Sequence, residues 1–283
     1  MTRVGVVGMG TMGAGIALVC ARVGLDTCGI DVSDSKLANA EQDIERFLEE
    51  GIRRGKTTAE ERDATLRHIR YSTDIETLAD SDLVIEAASE DEELKQRLLV
   101  AIEQVVPGDA VITTNTSALS ASALAATLAR PARCGGLHFF NPAPLMPLVE
   151  VILAEQTAKP TVERLVGFAR KIGKEPVITK DRPGFLVNRL LMPYLNQAIR
   201  AYDDGLASAQ DIDTALELGL GYPIGPLKLL DIIGLDTHLH ATAAAYTQSG
   251  ETPFIPPPLL ARLVSAGALG HKTGRGIIAQ TMD

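Results

Sequence analysis

The sequence predicts an α/β chain in two parts: a doubly wound parallel sheet covered by helices, followed by a second, all-helical domain. Three observations carry this expectation. Short β-rich runs alternate with helical ones through the first half. The first run leads straight into the glycine-rich turn Gly8-Met9-Gly10-Thr11-Met12-Gly13. From about Pro183 the strand signal fades, and glycine and proline punctuate helical stretches only.

Val4 to Val7 reads as a strand, Thr11 to Val23 as a helix and Asp26 to Ile30 as the second strand. Further strands fit Ile69-Ser72, Leu83-Glu86, Ala110-Thr114, Gly135-Phe139 and Leu148-Leu153. The stretch from Asp31 to Ile69 is too long for one crossover helix, so a helical excursion is expected at about 34–68. One helix runs to about Ile52; a second starts at Thr58, which with Glu61 makes a capping box. Beyond the hinge at Lys180-Asp181-Arg182-Pro183, helices fit Val187-Asp204, Gln210-Leu218, Leu227-Ile233, Asp236-Gln248 and Leu259-Ala266. The expected division is residues 1–182 and 183–283.

Composition excludes several function classes. The chain has 283 residues, 46% hydrophobic and 22% charged, which suits two globular cores and not a disordered chain. A net charge of −9 argues against nucleic acid or an anionic membrane as main partner, since either needs a basic face. No apolar run reaches the roughly 18 residues of a membrane span, and Met1-Thr2-Arg3 runs directly into the first strand without a secretory signal. Cys20, Cys28 and Cys134 read as reduced, buried thiols of a cytoplasmic protein. No metal is expected, because no histidine pair has helical i, i+4 spacing.

The glycine turn carries the first chemistry. A G-x-G-x-x-G between a strand and a helix is a dinucleotide fingerprint, and it makes the sheet Rossmann-type. Gly8 permits the tight turn, Gly10 admits a pyrophosphate to the backbone, and Gly13 lets the helix pack on the sheet. The N–H groups at the helix start, around Thr11 and Met12, face the phosphates. Asp31 ends the second strand, where a carboxylate accepts ribose hydroxyls and repels a 2′-phosphate. NAD is therefore expected over NADP, with FAD a weaker competitor.

Four more polar positions stand out. Ser117 follows Asn115-Thr116 at the carboxyl end of an apolar strand, where open α/β sheets bind ligands. His138 ends the run Cys134-Gly135-Gly136-Leu137. Glu150 interrupts Leu148-Val149-Glu150-Val151-Ile152 on the same face as Leu148 and Ile152, a carboxylate needing a partner if buried. Asn188 opens the first helix of the second domain. Each has a bland competitor: a satisfied core histidine, a solvated edge-strand glutamate, and helix caps for Ser117 and Asn188.

With these residues in view, the chain resembles the L-3-hydroxyacyl-CoA dehydrogenase family almost end to end. The resemblance rests on the glycine fingerprint, Leu83-Val84-Ile85-Glu86-Ala87, Asn115-Thr116-Ser117 and Gly136-Leu137-His138-Phe139-Phe140-Asn141-Pro142. It continues through Leu148-Val149-Glu150-Val151, Lys180-Asp181-Arg182-Pro183-Gly184-Phe185, Asn188-Arg189, Tyr222-Pro223-Ile224-Gly225-Pro226 and Gly234-Leu235-Asp236. It implies an NAD-dependent oxidoreductase of fatty acid metabolism acting on a short 3-hydroxyacyl thioester such as 3-hydroxybutyryl-CoA. His138 would take the hydroxyl proton, Glu150 would orient and charge-stabilise it, and Ser117 and Asn188 would hold substrate oxygens in a cleft between the domains. Glu90, Lys95 and Asn115 would lie on the cofactor's side of the site. A homodimer through the helical domain is also implied, with Leu227-Ile233 and Leu259-Val264 as interface material.

Departures touch the periphery. Gly274-Arg275-Gly276 is followed by Ile277-Ile278-Ala279 where the family usually has Phe-Tyr, and Pro147 replaces a common lysine. Arg53, Arg54 and Lys56 (with Arg46) form a basic cluster in an acidic chain, suited to coenzyme A phosphates or to an acidic acyl carrier protein. Two readings compete. A 3-hydroxyisobutyrate-type dehydrogenase would need a lysine one turn before an asparagine in the interdomain helix, which is missing here. A catalytically silent relative would leave the filled positions His138, Glu150, Ser117 and Asn188 unexplained.

Overall fold

Strand β1 (Arg3–Val7) alternates its side chains between two helical layers, and both layers bury them. Val4 and Val6 join the core beneath helix α1 (Thr11–Arg22), whereas a Cβ at Gly5 would meet Leu78 and Val84 on the other face. β2 (Asp26–Ile30) pairs parallel with β1 on one side. A computed structural model describes residues 1–278 in two compact units, Met1–Asp181 and a second beginning at Arg182.

In the first unit the excursion consists of α2 (Asp34–Arg53) and α3 (Ala59–Arg67). α2 buries Leu37, Ala40, Ile44 and Leu48, a stripe at helical spacing, and each fully buried leucine or isoleucine contributes about 2 kcal/mol. Thr58 caps α3 with its side chain on the Glu61 N–H, and Glu61 returns a bond to the Thr58 N–H, as expected. There follow β3 (Ile69–Ser72), β4 (Leu83–Glu86), α4 (Glu92–Val105), β5 (Val111–Thr114), α5 (Ala121–Ala125) and β6 (Cys134–Phe139). The unit closes with β7 (Leu148–Leu153), α6 (Lys159–Lys171) and β8 (Glu175–Lys180).

The strand order is β3-β2-β1-β4-β5-β6-β7-β8. The order reverses at β1 and β4, so the carboxyl end of β1 opens onto a crevice with helices diverging to either side. α1, α2 and α6 bury one face of the sheet, with Leu83, Ile85, Leu137, Phe139, Val149 and Val151. The alternate side chains, among them Val84, Glu86, Thr114, His138 and Glu150, face the opposite way.

Two features correct the sequence expectation of a parallel sheet. β7 runs antiparallel to β6, because residues 140–147 are too few for the crossover that a parallel neighbour needs. β8 was not expected; Pro176 weakens its signal, and β8 lies at the sheet edge, where proline is tolerated.

The second unit holds α7 (Val187–Asp203), α8 (Ala209–Leu220), α9 (Pro226–Ile233), α10 (Leu235–Ser249) and α11 (Pro258–Ser265). Its core gathers Leu195, Ile199, Leu227, Leu230, Leu235 and Leu260. Asp213 caps α9, accepting from the Leu227 and Lys228 N–H groups. Buried Asp231 accepts from the Ile277 and Ile278 N–H groups at 2.9 and 2.7 Å, which anchors the altered tail. Ala279, the last residue of that departure, lies outside the described residues. Among the described residues no helix is long and apolar enough to cross a membrane.

Candidate active site

The glycine turn has the geometry its three positions require. Gly8 adopts φ +95°, and a Cβ there would sit 2.5 Å from the Ala88 nitrogen. At Gly13 a Cβ would fall 1.9 Å from the Gly8 carbonyl oxygen, so the helix can approach the turn only with glycine. A Cβ on Gly10 would meet nothing within 4 Å, which leaves open space over the N-terminus of α1. Gly10 caps that helix without a side-chain bond, and the first-turn N–H groups of Thr11, Met12 and Gly13 have no intrahelical acceptor. An anion fits there.

A cavity of about 500 Å³ adjoins this turn, lined by Gly8, Gly10, Thr11, Asp31, Ile75 and Leu98 among others. Asp31 Oδ2 accepts from the Met9 N–H at 2.8 Å, which ties the turn to the end of β2. Lys36 stands 3.5 Å from Asp31 Oδ1 on the same cavity wall. Open space at Gly10, unpaired helix amides and a carboxylate at the second strand's end together suit NAD.

Beside the turn lies a buried polar network. The Lys95 ammonium of α4 is 1% exposed and bonds Glu86 Oε1 and Oε2 at 2.8 and 3.1 Å and the Ala88 carbonyl at 3.0 Å. Thr114 donates to Glu86 Oε2 at 2.7 Å. Glu90 Oε1 in turn accepts from Thr116 Oγ1 at 2.5 Å and from the Ser117 and Ala118 N–H groups at 2.8 and 3.0 Å. Burial raises the Glu90 carboxyl, but the Thr116 hydroxyl, Lys95 and the two amides outweigh it and hold it below the usual range. Glu90 thus shapes the Ser117 turn, and the buried Lys95 ammonium is held by Glu86 and the Ala88 carbonyl beside it. Glu86 was not singled out from the sequence; its signal is a carboxylate ending the apolar run Leu83-Val84-Ile85.

Ser117 does not cap a helix, since Ser120 caps α5. Asn115 Oδ1 accepts from the Phe139 N–H at 2.9 Å, joining the ends of β5 and β6 next to His138.

The antiparallel pairing of β6 and β7 sets His138 directly opposite Glu150. His138 Nδ1 lies 2.7 Å from Glu150 Oε2. The two residues are 5% and 0% exposed, and the Phe140 ring packs on the imidazole at 4.7 Å between centroids. Glu150 is therefore no solvated edge residue: β8 covers that side of β7. An ionised Glu150 accepts from Nδ1–H, which selects the tautomer whose lone pair is on Nε2. Nε2 is then the ring atom able to take or return a proton.

Asn188 belongs to the second unit, one residue into α7, where Leu186 occupies the cap. The basic cluster divides. Arg53 and Arg54 both bond Glu50 and are exposed. Arg53 and Arg46 line a cavity of about 400 Å³ formed by α1, α2 and residues 141–144, while Lys56 lines a different one with Arg22 and His68.

A dinucleotide turn at the switch point and a buried histidine–carboxylate pair along the same strand ends define a nicotinamide-dependent oxidoreductase. Comparison with known proteins narrows this class. Residues 3–182 match the model of the 3-hydroxyacyl-CoA dehydrogenase NAD binding domain, and residues 184–280 match that of its C-terminal domain. The chain is 42% identical over 276 residues to 3-hydroxybutyryl-CoA dehydrogenase of Mycobacterium tuberculosis, covering 97% of this chain and 96% of that one. It is 44% identical over 275 residues to 3-hydroxyadipyl-CoA dehydrogenase of Escherichia coli, covering 97% of this chain and 58% of that longer one. The crystal structure of (S)-3-hydroxybutyryl-CoA dehydrogenase from Ralstonia eutropha superposes with a TM-score of 0.95 at 41% identity, covering 98% of each chain. The chain belongs to the 3-hydroxyacyl-CoA dehydrogenase family.

Proposed function

We propose that the protein oxidises the 3-hydroxyl of a short-chain 3-hydroxyacyl-CoA with NAD, and runs the reverse reduction. The observation that carries this reading is the buried His138–Glu150 pair at 2.7 Å, beside a turn that suits NAD. The chemistry NAD supplies when bound is acceptance of a hydride from C3. His138 Nε2 takes the hydroxyl proton as the C–H bond breaks, and Glu150 holds the ring and stabilises the imidazolium. Ser117 and Asn188 are assigned to the substrate oxygens, Asn115 and Glu90 to fixing the loop that carries Ser117, and Lys95 to holding Glu90. Gly8, Gly10, Thr11, Met12, Gly13 and Asp31 hold the dinucleotide.

Coenzyme A is preferred to a carrier protein as the thioester's handle, because the relatives above are named for CoA thioesters. Arg53 and Arg46 at the cavity beside residues 141–144 are its phosphate contacts in this reading; Arg54 and Lys56 are not. A panel of 3-hydroxyacyl-CoA and carrier-protein thioesters, assayed for NADH at 340 nm, tests the proposal. Turnover of short 3-hydroxyacyl-CoA supports it, and turnover of carrier thioesters alone overturns the choice of handle.

Place and assembly belong to the same proposal. Free, buried Cys20, Cys28 and Cys134 support a reducing, cytoplasmic setting, and the chemistry suits fatty acid metabolism. A homodimer is proposed through the helical unit. Leu227, Leu230 and Leu260 fill that unit's own core, and Leu218, Leu220 and Ile232 are among the large apolar side chains it exposes. A monomer in light scattering at micromolar concentration would overturn it.

A further inference from the structure

His138 and Glu150 sit on two strands joined by residues 140–147, a connection with no regular structure. Its carbonyls therefore have no ladder to satisfy them. Pro142 O accepts from the Leu145 and Met146 N–H groups, and Pro147 O accepts from the Glu175 N–H. Two of the four carbonyls between them go to one side chain. Lys174 Nζ donates to Ala143 O and to Met146 O, each at 2.7 Å.

Lys174 lies between α6 and β8 and is only 7% exposed. Among the described residues it forms no ion pair with a carboxylate, so the burial of its charge is offset by loop carbonyls alone. Loss of water lowers the pKa of the ammonium, and Arg22 adds to that. A buried cation kept for surface loop geometry alone is costly, since a neutral donor would carry less desolvation. The loop it holds has a second contact: Ala143 and Pro144 pack on Gly15 of α1, where a Cβ would fall 3.2 Å from each. Asn141, Pro142, Ala143 and Pro144 then form one wall of the cavity that Arg46 and Arg53 border.

We propose that Lys174 is a positioning residue for the thioester: its two bonds fix residues 141–146 as the wall of the substrate cavity without touching substrate. This rests on the functional reading above. Losing both bonds lets the wall drift, and the acyl carrier loses its fit while the dinucleotide turn, which Lys174 does not bond, stays set.

Lys174→Met keeps the apolar stem and removes the donors. With 3-hydroxybutyryl-CoA and NAD as substrates, KM for the thioester is expected to rise about tenfold, the scale of a small misplacement in a site. KM for NAD is expected to change less than about twofold, and Lys174→Arg to recover most of the thioester KM. Hydrogen exchange adds a readout independent of turnover: peptides covering Leu145 and Met146 should exchange faster in Lys174→Met, and those covering β1 should not. An unchanged thioester KM, or equal rises in both KM values, overturns the inference, as does unchanged exchange at Leu145 and Met146. If Lys174→Met does not fold, Lys174→Gln, which is uncharged and too short to bond both carbonyls, carries the same measurements. If the wild-type protein turns over no 3-hydroxyacyl-CoA, the functional reading fails while the exchange arm still decides whether Lys174 holds the loop.

Discussion

Replacing Glu150 by glutamine probes the site most directly. The change preserves size and leaves an oxygen able to accept from His138 Nδ1, so the 2.7 Å contact can persist while its charge is lost. Both partners are shielded from water, at 5% and 0% exposure, so solvent cannot replace the missing charge. A charge-assisted bond contributes about 1.5–3 kcal/mol, and a neutral one roughly half of that. The imidazolium formed as the proton arrives loses at least that difference, about 0.75–1.5 kcal/mol, which lowers kcat by about fourfold to tenfold or more. His138→Ala removes the base and should lower kcat by roughly 10²-fold or more. KM should move little in either variant, because the lost interaction strengthens in the transition state. Initial rates of NADH formation with 3-hydroxybutyryl-CoA measure both, and a thermal melt checks folding. The double variant should be little worse than His138→Ala alone, since Glu150 acts through the ring. Full additivity of the two losses would refute the coupled mechanism.

Three further outcomes follow from the same geometry. Asp31→Asn keeps an acceptor for the Met9 N–H and removes the charge facing a 2′-phosphate; with Lys36 left unpaired nearby, the ratio of kcat/KM for NADP to that for NAD should rise about tenfold or more, and an unchanged ratio would show that Asp31 does not read the ribose. Arg53→Ala should raise KM for acyl-CoA by at most about fivefold, since an exposed pair contributes about 1 kcal/mol or less, and Lys56→Ala should leave it unchanged; the reverse ranking would move the phosphate site to the other cavity. His238, buried and bonded to Asn196 at 2.9 Å, has its pKa pushed down to about 4 by desolvation. Its neutral form is the folded one, so stability is full above pH 6.5 and is lost as pH falls towards 4. Roughly 3 kcal/mol goes in that window. Denaturant titrations of wild type and His238→Gln between pH 7 and 4 should converge as pH falls.

Much of the first unit was legible because its signals are local. The Gly8–Gly13 turn, Asp31, the excursion with its capping box at Thr58, and the helices after Pro183 each announce themselves within a few residues. The reversal of β7 was also written in the chain, in the shortness of residues 140–147, but strand patterns carry no direction by themselves. β8 was hidden by Pro176, whose penalty vanishes at an edge. What stayed illegible depends on pairings across long separations. Nothing near Lys174 points to Ala143, and nothing near Lys95 says that Glu86 will bury it. The basic cluster divides for a geometric reason the sequence does not display: Arg53 is the last residue of α2, and Gly55, at φ +65°, turns the chain so that Lys56 faces another cavity.

The reversal of β7 explains why His138 and Glu150 are held so closely. In a parallel neighbour, a crossover helix would separate the two strands, and the relative height of the two residues would depend on packing far from the site. In the antiparallel pair, the ladder itself fixes Glu150 opposite His138, on a register shared with Gly136↔Ile152 and Leu137↔Val151. A slip of one residue would turn Glu150 into the apolar layer that holds Val149 and Val151, which leaves a buried charge without a partner and costs several kcal/mol. The same hydrophobic alternation that buries β7 therefore enforces the His138–Glu150 geometry. Glu150 needs no dedicated scaffold beyond correct folding of the sheet, and the loop between the strands is left free to line the cavity beside α1 and α2.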